Sequence, residues 1–398
     1  MLPDIWDDDE LKQCEKYLIG LRRHFHRFPE LGGQEKETCA KIAGELEQMG
    51  IRVRRVGHAG LIGELTGALP GKTLVLRSDM DAIPVQESSF NLLREKLVIS
   101  EREGVAHLCG HDGHMAMLLG AARLLSQRKN RIKGRILFCF EEGAEKVIGL
   151  QAMMDALAGE KVDGAWGIYL ESSLPSGGFA VEAGARLAGA IGFQITVTGE
   201  GGHGSRPDKT VNPIDCCAQI VGDIQGMIAR EINPYENVVL SFGKIEGGST
   251  SNMIPDTCSM SGTMRFFDRN VGLHLQNSFG RWVEHIVTAH RCQISIDYFG
   301  RGMPVVNRPE DAARAREAIL KVVPEAKSNY SLPPQMRSDT FGTYIDEFSG
   351  VFVLLGIDNP KLGTGADGYT RKYDLDESCL IKGTLATLEY AKLFLDWE

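Results

Sequence analysis

The chain has 398 residues, 43% of them hydrophobic and 24% charged, with a formal net charge of −9. That length exceeds what one core serves and predicts two domains of an ordinary soluble globular protein. The acidic balance argues against nucleic acid or an anionic membrane as a partner. Nine cysteines lie scattered without a paired framework, and the acidic start lacks the basic and apolar regions of an export signal. This predicts reduced thiols in a cytoplasmic protein. No apolar run approaches the roughly 20 residues of a membrane span.

In chain order, residues 8–50 predict two helices separated by the helix-breaking loop from Phe28 to Gly33. Short apolar runs at 61–65 and 73–77, a helix at 115–126 and a strand at 134–140 follow. Strands alternating with helices predict an α/β domain with a mixed, largely parallel sheet. After Gly184 the pattern changes. Residues 193–198 alternate with period two, then come a helix at 211–230, strands near 237–244 and 257–267, a helix at 270–290 and a strand at 292–298. That β-α-β-β-α-β order predicts a ferredoxin-like α+β insert at 186–303 within an α/β domain made of 1–185 and 304–398.

The densest chemistry lies between His107 and His114, where Cys109, His111 and Asp112 also fall. Thiolate and imidazole are preferred ligands of zinc-like ions. The apolar run that follows places this group just before a buried helix, whose dipole would favour the thiolate of Cys109. His107 and His114, each taken alone, read as structural. His24 and His26 read as structural or interface residues of the first helix. The glycines around His203 predict a tight turn that presents this histidine.

The stretches Arg22–Leu31, Leu76–Pro84 and Cys109–His114 together resemble the amidohydrolases of the aminoacylase and carboxypeptidase group. Further matches run through Gly199–Pro207, Gly247–Asp256, Gly262–Arg265 and Tyr373–Glu377, in order and over nearly the whole chain. The nearest branch hydrolyses N-acyl amino acids, including hippurate and indole-3-acetyl-amino acids. The resemblance implies an enzyme acting on a small amide or amino-acid-like substrate, with the insert serving as a dimerisation or lid domain in a homodimer. It also implies two metal ions, with a neighbouring glutamate activating water. The ligands carried over are Cys109, His111 and Glu145. His203 and Asn252 would hold the tetrahedral oxygen, Asp79 would face the active site, and His114 would contact substrate. By the residues alone, Asp79 could equally cap a turn. Arg206 and Arg265 would pair either with a substrate carboxylate or with carboxylates of the protein.

Three positions depart from the family. Aligned by their distance from Gly134, Glu141 to Glu145 place Ala144 where the family has its general base and keep Glu145 as ligand. A second register would make Glu141 and Glu142 the pair. Tyr169 and Tyr369 stand where the family has histidine ligands, and neutral phenol, with a pKa of about 10, is a poor ligand for zinc or manganese. Three readings follow. The first ranked is a repurposed enzyme using Tyr169 and Tyr369, with no metal or a single weakly bound zinc or manganese. Next comes a conventional metal-dependent amidohydrolase, and last a non-catalytic homologue binding a ligand or partner.

Overall fold

Asp7 opens the first helix, its carboxylate accepting from the backbone N–H groups of Asp9 and Glu10 while Glu10 returns a bond to the cap. This capping box satisfies donors that a helix start leaves orphaned. In the computed structural model, which describes residues 6–324 and 330–397, α1 runs Asp8–Arg27 and buries Leu11, Cys14, Leu18, Leu21 and Phe25 at helical spacing. Then come α2 (Lys36–Gln48), β1 (Arg52–Val56), β2 (Gly60–Thr66), β3 (Leu69–Asp79), α3 (His111–Gln127), β4 (Lys133–Glu141), α4 (Leu150–Ala158), β5 (Gly164–Pro175) and β6 (Phe179–Ala180).

The chain divides into two compact units. The larger holds residues 1–186, 306–333 and 343–398, the smaller 187–305 and 334–342. The sequence reading kept 334–342 with the larger unit. The structure groups it with the smaller, where Ala188 donates to the carbonyls of Gln335 and Arg337.

In the larger unit a seven-stranded sheet has the order β1-β2-β4-β3-β5-β13-β6, where β13 is Gly350–Asp358. The central pairs β4–β3, β3–β5 and β5–β13 are parallel, and the edge strands run antiparallel. Strands β3 to β5 are buried over most of their length, as a sheet covered on both faces requires. Helix α3 is buried on nearly every side, between α1 and the last helix, Leu380–Leu395. It begins at His111, one turn earlier than its apolar run predicted, so His111 and His114 sit in its first turn.

The smaller unit comprises β7 (Gly189–Thr198), β8 (Gly202–His203), α5 (Pro213–Glu231), β9 (Val239–Gly247), β10 (Met253–Ile254), β11 (Thr257–Phe266), α6 (Arg269–Ala289) and β12 (Gln293–Gly302). Its antiparallel sheet has the order β9-β11-β7-β12, the ferredoxin-like arrangement. Among the described residues, no helix is long and apolar enough to cross a membrane.

Helices α1 and α3 approach closely at Gly120, where an added Cβ would stand 2.3 Å from a Leu18 methyl and 3.5 Å from the Cys14 sulfur. Gly120→Ala should therefore lower the unfolding free energy by roughly 1–3 kcal/mol in urea denaturation. Combining it with Leu18→Ala should give less than the sum of the two single losses. Strict additivity would show that the two side chains do not compete for this space.

Candidate active site

Parallel strands leave their carboxyl ends on one side of a sheet, where α/β proteins place their ligands. Here β3 ends on Asp79 and β4 on Glu141, opposite each other in register. Asp79 is 1% exposed. The His114 ring donates from Nδ1 to Asp79 Oδ1 at 2.7 Å, while the Leu170 backbone N–H donates to His114 Nε2 at 2.9 Å. The acceptor role at Nε2 assigns the proton to Nδ1. Arg77 reaches Asp79 Oδ2 at 3.0 Å and Glu141 Oε2 at 3.2 Å, and the latter oxygen also accepts from the Tyr344 hydroxyl at 2.8 Å. Burial alone would raise the Asp79 carboxyl, but His111, His114 and Arg77 hold it well below the usual range. His114 is 2% exposed with both ring nitrogens engaged. In this arrangement its ring bridges the Asp79 carboxylate and the Leu170 backbone.

Cys109, His111 and Glu145 come together beside this clamp. Gly110, at φ 92°, caps α3, and a side chain there would meet the Tyr373 hydroxyl at 2.8 Å. His111 donates from Nδ1 to the Asp81 carbonyl at 2.8 Å, leaving Nε2 3.4 Å from Asp79 Oδ2 and 3.7 Å from Glu145 Oε1. Glu145 lies on a short 3-10 turn with Ala144, and its N–H donates to Asp81 Oδ2 at 3.0 Å. One ligand atom from each of Cys109, His111 and Glu145 lies within 4.8 Å of the others. Burial pushes the Cys109 thiol up, against the thiolate that the helix dipole was expected to favour. Burial likewise raises Glu145, although His111 opposes it.

The competing register for the glutamate pair finds no support in this geometry. Glu141 is spent on Arg77 and Tyr344, and Glu142 accepts from the N–H groups of His58 and Ala59 at 2.8 and 2.6 Å. The carboxylate beside Cys109 and His111 is Glu145, next to Ala144.

Both tyrosines reach this cluster. The Tyr169 ring packs 4.8 Å from His114 and 6.5 Å from His111, centroid to centroid, with Phe352 at 6.0 Å on another side. The Tyr369 hydroxyl donates to Glu145 Oε2. Its backbone is left-handed, at φ 65°, and its N–H donates to the Leu108 carbonyl at 2.7 Å. The residue is 54% exposed overall, so one edge of the ring meets solvent while the hydroxyl meets the carboxylate.

The remaining candidates lie in the smaller unit. His203 in β8 pairs with Met253 of β10, and Gly204 donates to the Asn252 carbonyl, so His203 and Asn252 are neighbours at one corner. Both are exposed; His203 Nδ1 accepts from the Ser205 backbone and Thr250 donates to the Asn252 side chain. Arg206 forms a two-bond, solvent-exposed pair with Asp208. Arg265 is half-buried on β11 and donates to the Met264 carbonyl at 3.2 Å.

Sequence reasoning missed the buried network behind α3. His26 lies 2.8 Å from Asp112 and 3.2 Å from Glu87, while Arg22 reaches Asp112 at 2.8 Å. Lys96 closes on Glu87 at 2.8 Å. The signal was present in the mixed acidic and basic residues around the motifs, but nothing in their spacing paired them.

The model of the peptidase family M20/M25/M40 matches residues 75–392, and the chain belongs to that family. Thermostable carboxypeptidase 2 of Saccharolobus solfataricus is 35% identical over 383 residues, 95% of each chain. IAA-amino acid hydrolase ILR1-like 2 of Arabidopsis thaliana is 32% identical over 95% of this chain and 85% of its own. Among solved structures, the Bacillus subtilis YXEP protein, described as a dinuclear metal binding peptidase, superposes with a TM-score of 0.81. It is 27% identical and covers 97% of this chain and 100% of its own.

Burial and Arg22 act to lower the His26 pKa, but hydrogen bonds to Asp112 and Glu87 prevail and hold it above the ordinary value. A raised folded-state pKa contributes stability that is complete below the unfolded value, about 6.5, and is lost as pH rises through the folded one. His26→Gln should therefore cost most stability near about pH 6 and progressively less at higher pH. An unchanging gap between variant and wild type across that range would show that His26 is neutral in the fold.

Proposed function

We propose that this chain is an amidohydrolase-fold enzyme for an N-acyl-amino-acid- or peptide-like amide whose two-metal hydrolytic arrangement has been dismantled. The observation that carries this reading is the fate of the donors around His111. One buried oxygen, Glu145 Oε1, faces the Cys109 thiol and His111 Nε2 without a well-formed hydrogen bond, and these three donors fit one ion. A second ion does not fit. The other candidate group, Asp79, His111 and His114, shares His111, has both nitrogens of His114 engaged, and has both oxygens of Asp79 bound.

A single zinc or manganese ion on Cys109, His111 and Glu145 would polarise a carbonyl and lower the pKa of water. The chain's own groups supply the rest. Tyr369 orients Glu145 by donating its hydroxyl proton to the carboxylate. The Tyr169 ring packs beside both histidines. With Ala144 in place of a base, proton transfer falls to the tyrosine hydroxyls and Glu145. That suits condensation, cyclisation or elimination on an amide-like compound as well as hydrolysis. The names of the relatives, a carboxypeptidase, an N-acetyl-L-cysteine deacetylase and an IAA-amino acid hydrolase, support the substrate class. A cytoplasmic homodimer formed through the smaller unit belongs to the same reading, and a strict monomer by light scattering at micromolar concentration would remove it.

Metal analysis after dialysis against chelator should find at most one ion per chain; two retained ions would overturn the proposal. Tyr169→Phe and Tyr369→Phe should each reduce turnover roughly tenfold or more, while the folding midpoint moves little. Full activity in the double variant would make both hydroxyls bystanders. Restoring Ala144→Glu, Tyr169→His and Tyr369→His together should bring back two-metal binding. If it does not, the assignment of at least one of these positions to a family ligand is wrong.

A further inference from the structure

The turn that carries Glu145 is strained. Gly143 and Val147 take left-handed backbone, at φ 57° and 56°, on either side of the short segment Ala144–Lys146. At a β-branched residue that conformation persists only where the surroundings impose it. Inside the turn the Gly143 carbonyl accepts from Lys146 and Ile148 at 3.1 and 3.0 Å. Two of its backbone donors go to carboxylates from other segments. The Gly143 N–H donates to Glu35 Oε1 at 2.6 Å, and the Glu145 N–H to Asp81 Oδ2 at 3.0 Å. Packing on the same side is close: a Cβ at Gly32 would stand 3.0 Å from both Gly143 Cα and Asp81 Oδ2.

Glu35 occupies the N-cap position of α2, is fully buried, and makes no side-chain capping bond to that helix. The donors of Glu37 and Thr38 go instead to the Glu30 carboxylate, at 3.3 and 2.7 Å. Capping, the ordinary use of an acidic side chain at a helix start, therefore does not account for Glu35. Its Oε1 holds Gly143, and its Oε2 is buried without a hydrogen-bond partner. Keeping a carboxyl there has a desolvation cost that an apolar residue would not carry. We infer that Glu35 is a positioning residue of the active site: by fixing Gly143 it sets the direction in which Glu145 presents its carboxylate to Cys109 and His111. The inference rests on the reading of Glu145 as the acid that faces an ion. Burial pushes the Glu35 carboxyl up to about 7, although the Gly143 N–H pulls it down. Glutamine, which keeps the acceptor oxygen without the charge, is thus its close stand-in.

The test uses the full chain stripped with chelator, follows hydrogen exchange by mass spectrometry, and then titrates zinc by calorimetry. Glu35→Asp, one methylene shorter, should lose the bond to Gly143 and speed exchange across 143–148, while α3 exchanges as in wild type. Its zinc affinity should fall on the order of tenfold or more, as when a group that orients a metal ligand is lost. Glu35→Gln should restore both readouts to wild-type values, which a structural need for a buried charge would not allow. Glu35→Leu should behave as Glu35→Asp does, and the Asp variant keeps the test decisive if Leu does not fold. Unchanged exchange across 143–148 in Glu35→Asp, faster exchange with wild-type zinc affinity, or a Gln variant no better than Asp would each overturn the proposal. A wild-type chain that takes up no zinc would overturn the single-ion reading alone, since exchange at the turn still decides whether Glu35 holds it.

Discussion

A buried carboxylate with no freedom to ionise otherwise sets the terms for this site. Asp79 sits 1% exposed at the end of a central strand, where an uncompensated charge would cost several kcal/mol. It is tolerated because Arg77 from its own strand and His114 from α3 converge on it. That arrangement fixes the His114 tautomer, and the Leu170 N–H then locks the ring from the side of β5. Three elements of the larger unit are thereby tied at one point, and His111, one turn earlier on α3, inherits its position from the tie.

The same clamp explains why tyrosines suit the neighbouring positions. With His114 committed on both edges, the ring of Tyr169 packs beside it at a tilt of 54°. Tyr369 is held differently. A left-handed backbone at a bulky residue costs on the order of 1–3 kcal/mol and persists only where its surroundings impose it. Here the Leu108 carbonyl and the Glu145 carboxylate impose it from opposite ends of the residue. The hydroxyl of Tyr369 thus ends on a half-buried acid.

Much of this was legible in the chain, because periodicity and short motifs are local. The alternation at 193–198 and the helices around it follow from side-chain period alone, and so does the ferredoxin-like insert. Cys109, His111 and Glu145 were found through motif position, and the structure brings them within reach of one another. What escaped was long-range pairing. Nothing in the spacing could join Arg77 to Glu141 and Tyr344, or His26 to Asp112 and Glu87, since those contacts exist only after β3, β4 and α3 have packed. The backbone bonds of 334–342 are equally non-local, since they accept from Ala188, which is distant in sequence.

The prior expectation for Cys109 failed for a reason that reaches beyond that residue. A helix N-terminus favours a thiolate by a modest partial charge acting over the first turn, whereas complete burial penalises any uncompensated anion far more. Burial therefore wins at Cys109, and the thiol rises. Motif position identifies which side chains can meet, but solvent exclusion decides their protonation, and exclusion is a property of the assembled core. Within this unit the carboxylates illustrate the same ordering. Glu142 stays anchored on backbone donors, Asp79 on cations, and Glu145 has one oxygen on Tyr369 and the other without a firm partner.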